Sequence, residues 1–122
     1  MALQLATFLD GAGEYEVCSP QLLQEADLAV LKVTAQWCGP CKQIHPHFLA
    51  ACRGVPGLRV CVLDVDAAQR LELLGVEALP TFIAFREGVE QQRVKGADLL
   101  QIQDMIARLG THARQNTAEG KV

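Results

Sequence analysis

The sequence predicts an α/β fold, a central mixed β-sheet flanked by helices on both faces, and three observations carry that prediction. Strand-like and helix-like stretches alternate along the chain. Leu28 to Ala35 is nearly continuous apolar sequence, as in a strand covered on both sides. A hairpin pattern followed by an amphipathic helix completes the order. A length of 122 residues, half of them apolar, suits one domain, expected over residues 1–110.

The elements follow in chain order. Leu5 to Leu9 fits either a short strand or an opening helical turn. Ser19-Pro20 supplies an N-cap hydroxyl and a first-turn proline ahead of the helix formers Gln21 to Ala26. Leu28 to Ala35 then reads as the central strand. Cys38 to about Arg53 has helical character interrupted by Pro46, which removes one backbone bond and should bend the helix. Gly54 and Pro56-Gly57 close that segment. Leu58 to Asp64 is a second buried strand, Ala67 to Leu74 a short helix, and Gly75 its C-cap. Thr81 to Phe85 and Val89 to Val94 flank Arg86-Glu87-Gly88 as a hairpin. Leu99, Ile102, Met105, Ile106 and Leu109 form one stripe at helical spacing, the core face of a last helix. Residues 111–122 are polar and unpatterned, and are expected to be a loose, disordered tail.

The chemistry lies in Gln-Trp-Cys-Gly-Pro-Cys-Lys, residues Gln36 to Lys42, where the central strand ends and a helix begins. Free amides at a helix N-terminus carry partial positive charge, so a first-turn thiol ionises below the ~8.5 of an ordinary cysteine. Cys38 is therefore the expected nucleophile. Cys41, three residues on and on the same helical face, is the expected resolving thiol, placed to attack a mixed disulfide held on Cys38. Gly39 permits the tight entry and Pro40 stiffens it without losing a needed amide. Trp37 offers an apolar surface beside the sulfur, and Lys42 adds a positive charge that favours thiolate.

Composition excludes other classes. A net charge of −3, no long basic run and only six aromatic residues leave no footprint for nucleic acid or a membrane surface. No stretch is apolar for long enough to span a bilayer. The first basic side chain is Lys32, so the N-terminus lacks the cationic start of a secretory signal or the arginines of a transit peptide. A reducing compartment is expected, most simply the cytoplasm, together with a monomeric state. Five cysteines, an odd number, argue against a disulfide framework. Cys61 reads as an inert core residue and Cys52 as lying near the end of the long helix, while Cys18, before Ser19-Pro20, is left open between an inert and an exposed, oxidisable thiol.

Trp37-Cys38-Gly39-Pro40-Cys41-Lys42, Pro46, Asp64-Val65-Asp66, Leu79-Pro80-Thr81-Phe82 and Gly96 stand in an order and spacing that resembles the thioredoxin family over about Ser19 to Leu109. The resemblance implies a thioredoxin fold and a protein-disulfide reductase with no cofactor of its own. It implies partners that are disulfide-containing proteins, with thioredoxin reductase as the electron donor. It further implies that the Leu79-Pro80 bond is cis and that its loop faces the dithiol. Backbone groups of Leu79 would then pair with an extended partner segment, and the surface of Trp37, Val76, Leu79, Pro80, Gly96 and Ala97 would receive its side chains.

One position departs from the family. Its members usually carry a buried aspartate six residues before the first cysteine, a proton acceptor for the resolving thiol; Lys32 stands there. The lysine that accompanies that aspartate would fall near Val62 and is also missing. An amine in an apolar strand is costly to keep charged, so Lys32 should lose its proton or reach solvent along its stem. Charged near the sulfurs, it would stabilise thiolate and make the disulfide a stronger oxidant. Neutral, it would accept the proton of Cys41.

Rival readings are weaker. Cys38, Cys41 and His45 share a helical side with His47 nearby, but a zinc site usually takes a second ligand pair from another segment, and His45 and His47 face apart. No metal is expected. A binding or chaperone-like module with an atypical redox potential is the alternative function; loss of a cysteine would have marked it, and both are present. Isomerases and secretory oxidants usually place histidine between the thiols, and glutaredoxins Pro-Tyr, where this chain has Gly39-Pro40.

Overall fold

The computed structural model describes residues 16–17, 20–65 and 75–120. Their element order is β1 (Glu16–Val17), α1 (Pro20–Glu25), β2 (Leu28–Thr34), α2 (Gly39–Arg53), β3 (Arg59–Asp64), β4 (Thr81–Arg86), β5 (Val89–Lys95) and α3 (Leu99–Gly120). The strands form one sheet in the order β1-β3-β2-β4-β5, parallel from β1 to β2 and antiparallel from β2 to β5. The expected mixed sheet is present. All seven residues of β2 are buried, which follows from its place in the middle with both faces covered.

Side-chain alternation sorts the core into two layers. Val30, Val62, Phe82 and Val94 meet Phe48 and Leu49 of α2 and Ile102, Met105 and Ile106 of α3 on one face. Leu31, Val33, Cys61, Leu63 and Ile83 meet Leu23 and Ala26, at and just after α1, on the other. Phe48 and Phe82 are both fully buried, with ring centroids 5.0 Å apart and planes tilted by 49°. This pair fastens α2, the helix that carries the dithiol, to the centre of the sheet.

The hairpin turn is shorter than Arg86-Glu87-Gly88. Arg86 pairs with Val89 and closes the ladder, leaving Glu87 and Gly88 as a two-residue loop with φ of 51° and 82°. Two successive positive φ values match the twist of the flanking strands. Gly88 is required twice over, since a Cβ there would lie 3.1 Å from the Cα and the carbonyl oxygen of Gln24.

Two sequence expectations change. The two-residue β1 was not expected; its pairing to β3 depends on partners far along the chain. α3 does not stop near Leu109 but runs on to Gly120. No proline interrupts this stretch, and Gly110, which looks like a stop signal, is buried where α3 passes Val55, with room of only 3.2 Å for a Cβ. α2 runs over Gly39–Arg53 with the exposed Pro46 inside it, the helix that the sequence predicts. Leu5 to Leu9, Cys18 and the short helix at Ala67 to Leu74 lie outside the described residues.

Candidate active site

β2 ends at Thr34 and α2 begins at Gly39, and the link between them delivers both sulfurs to the carboxyl end of the central strand, where open α/β sheets place their chemistry. Cys38 is the N-cap of α2, in extended conformation at φ −91° and ψ 106°. Its backbone amide donates to the carbonyl of Ala35 at 3.1 Å, and its carbonyl accepts from Lys42 at 3.2 Å. Its Sγ accepts from the amide of Cys41 at 3.2 Å, so the sulfur occupies the capping position that a serine oxygen would take. A thiolate at this atom is held by a free helical amide and the positive end of the helix.

Cys38 and Cys41 are joined as a disulfide with Cα atoms 5.3 Å apart. Cys41 is fully buried and Cys38 is 7% exposed, so what surface the pair retains belongs to Cys38. That surface opens on a groove of about 610 Å³ lined by Trp37, Cys38, Gly39, Pro40, Val65, Val76, Glu77, Ala78 and Leu79. Trp37 is 68% exposed and forms an apolar wall. Val65 and Leu79 also pack against the cluster formed by Ala35, Cys38 and Cys41.

The Leu79-Pro80 peptide is cis, as the resemblance implied. The loop before β4 is held on both sides: Thr81 Oγ1 donates to the carbonyl of Ala78 at 2.7 Å, and the amide of Gly96 to the carbonyl of Pro80 at 2.7 Å. Gly96, at φ 91°, thus supports the loop; neither it nor Ala97 is among the residues lining the groove, and Pro80 itself is buried. Val65, Glu77 and Ala78 line it without having been singled out. Glu77 forms a rim ion pair with Lys95 at 2.8 Å, and that hydrogen bond holds its carboxyl below the usual range. Lys42 is exposed on the first turn of α2.

Lys32 does not reach solvent. It is 2% exposed, and its register neighbours are Val62 on β3 and Phe82 on β4, which leaves its stem no outward path. The amine instead turns to α2, where Nζ donates to the carbonyl of Cys41 at 2.9 Å and lies 2.8 Å from Nδ1 of His45. His45 thus belongs to the site. Its place four residues after Cys41 was visible in the sequence; the contact across to β2 was not. His47 is exposed, away from this cluster. Among the described residues no group of three or more His, Cys, Asp or Glu is placed to hold a metal ion. Cys61 is buried in the core, and burial pushes the Cys52 thiol up to about 12, with Arg53 opposing in part.

The comparisons with known proteins agree with this geometry. The family model described as Thioredoxin matches residues 15–108. The chain is 37% identical over 90 residues to putative thioredoxin-5 of Dictyostelium discoideum, spanning 71% of this chain and 86% of that one. It is 36% identical over 83 residues to thioredoxin of Chlamydia muridarum, with 67% and 78% covered. Among solved structures, thioredoxin of Malassezia sympodialis aligns with a TM-score of 0.66 at 31% identity, covering 74% of this chain and 81% of that one. The oxidised form of mitochondrial thioredoxin 3 of Saccharomyces cerevisiae aligns at 0.69 and 29% identity, covering 73% and 85%.

Proposed function

Because this chain belongs to the thioredoxin family and is a thiol–disulfide oxidoreductase, we propose that it reduces protein disulfides, with Cys38 as nucleophile and Cys41 as resolving thiol. The thiolate of Cys38 attacks one sulfur of a target disulfide and expels the other. Cys41 then attacks Cys38 Sγ, releases the target as a dithiol and closes the intramolecular disulfide. The observation that carries this assignment is the asymmetry of burial: Cys38 keeps 7% of its surface and opens on the groove, while Cys41 keeps none.

The groove suits an extended segment of a protein partner. Trp37, Val76 and Leu79 offer apolar surface, and the backbone of Leu79 would add the partner as a short strand. Docking of this kind depends little on the partner's sequence, which fits a reductant of many proteins. Electrons would return through an NADPH-dependent thioredoxin reductase, and the chain would act as a monomer in the cytoplasm. Among the described residues no helix is long and apolar enough to cross a membrane.

Insulin reduction with two electron sources tests the reading. Turnover is expected with a flavoprotein thioredoxin reductase and NADPH, and is expected to vanish in Cys38→Ser. Turnover supported by glutathione and not by the reductase would overturn it.

A further inference from the structure

We infer that Lys32 and His45 act as one proton-accepting pair for the resolving thiol. The inference rests on the assignment of Cys41 as that thiol and concerns where its proton goes. Cys41 is fully buried, so water does not reach the sulfur from outside; yet the thiol must ionise before it attacks. Two polar groups brought to this residue are the Lys32 amine, 2.9 Å from its carbonyl, and the His45 ring, 2.8 Å from that amine. Side chains on a helix lean toward its N-terminus, so His45 lies over the turn that carries Cys41, four residues earlier.

Two bases 2.8 Å apart at a part-buried site repel when both are charged, so charging one opposes charging the other. Lys32 and His45 therefore titrate as a unit, neutral or with one shared positive charge. The neutral pair has room for one proton, and the singly charged pair holds it between two nitrogens. Other titratable or charged groups face this layer. Asp64 on β3 shares the face of Lys32, since Thr34 and Asp64 are register partners; Cys52 lies further along α2, and Arg86 ends β4 at the far side. β5 and α3 present the apolar Val94, Ile102, Met105 and Ile106.

The step balances as follows. In the mixed disulfide, Cys38 Sγ is bonded to a target sulfur, and Cys41 gives its proton to the Lys32–His45 pair. The Cys41 thiolate attacks Cys38 Sγ, the new sulfur–sulfur bond forms, and the bond to the target breaks. Its electron pair leaves on the target sulfur, which takes a proton from solvent. The dithiol is oxidised by two electrons, the target is reduced by two, and the pair returns its proton when the disulfide is next reduced.

Stopped-flow reaction of the reduced protein with an aromatic disulfide that releases a coloured thiol separates the two steps. The first release reports attack by Cys38 and the second reports resolution by Cys41. In Lys32→Met, which keeps the packing volume, and in His45→Gln, which keeps a partner for the amine, the second release should slow at least about tenfold at neutral pH. Its pH profile should move to higher pH, while the first release keeps its rate. Second releases with unchanged rate and pH profile in both variants overturn the pair. A shift in Lys32→Met alone, or an equal shift in Asp64→Asn with none in His45→Gln, overturns it too, in favour of a lone amine or a carboxylate. Absence of any second release in the unaltered protein would instead refute the role of Cys41.

Discussion

Replacing Phe48 with alanine tests the packing that holds the dithiol helix in place. The ring is fully buried, 5.0 Å from the ring of Phe82, and its neighbours come from the sheet, from α2 and from α3. Three separate elements cannot all collapse into the space, so the loss should fall in the range of about 3–5 kcal/mol for a buried phenylalanine. Roughly 0.5–1.5 kcal/mol of that belongs to the aromatic pair itself. A domain of this size has about 5–15 kcal/mol in hand, so the variant should remain folded with a greatly reduced margin. With a urea slope of about 2 kcal/mol per M, the unfolding midpoint should drop by roughly 2 M at unchanged slope. A double-mutant cycle with Phe82→Leu should return the pairwise part. A drop of less than about 0.5 M, with the slope unchanged, would mean that the ring is not the anchor argued for it.

Three further outcomes follow from the same structure. Gly88→Ala should cost about 1–2 kcal/mol or more, because alanine is strained at φ 82° and its Cβ meets the backbone of Gln24 at 3.1 Å; urea titration with no loss would contradict the turn geometry. Cys52, with its pKa pushed up to about 12 by burial, should be alkylated roughly a thousandfold more slowly than an ordinary thiol at mildly alkaline pH until the protein unfolds; native-state labelling at ordinary rates would contradict its burial. Glu90 is held below the usual carboxylate range by its two 2.7 Å hydrogen bonds from Arg93. A lowered folded-state pKa stabilises above the unfolded value and is lost as pH falls through the folded one. Glu90→Gln should thus be less stable at neutral pH, by at most about 1 kcal/mol for so exposed a pair, and should converge with the parent in acid; a gap that widens on acidification would reverse the sign.

What the sequence revealed was what local pattern controls. Leu28 to Ala35 announces a doubly covered strand because its apolar residues do not alternate, and Cys38 to Cys41 sits where strand pattern gives way to helix pattern. The hairpin turn around Arg86-Glu87-Gly88, one residue too long as read, and the stripe from Leu99 to Leu109 are likewise local signals. The remainder was set by register and distance. Lys32 stands in an apolar strand, and sequence alone left its amine free to point outward; Val62 and Phe82 beside it, and His45 across from it, decide otherwise. Gly110 reads locally as a stop signal, but it lies inside α3 and against Val55, a neighbour distant in sequence. The amide of Gly96 holds the carbonyl of Pro80, and Val65 and Glu77 line the groove, because folding brings separate loops to the dithiol.

The division of labour between the two sulfurs is tested most directly by trapping the covalent intermediate. Reduced Cys41→Ser protein, mixed with a protein disulfide and read by intact-mass and peptide mass spectrometry, should accumulate one adduct through Cys38, because the second thiol that would release it is gone. Cys38→Ser should give none. An adduct on Cys41 or Cys52, or disulfide reduction that survives in Cys38→Ser, would contradict the account.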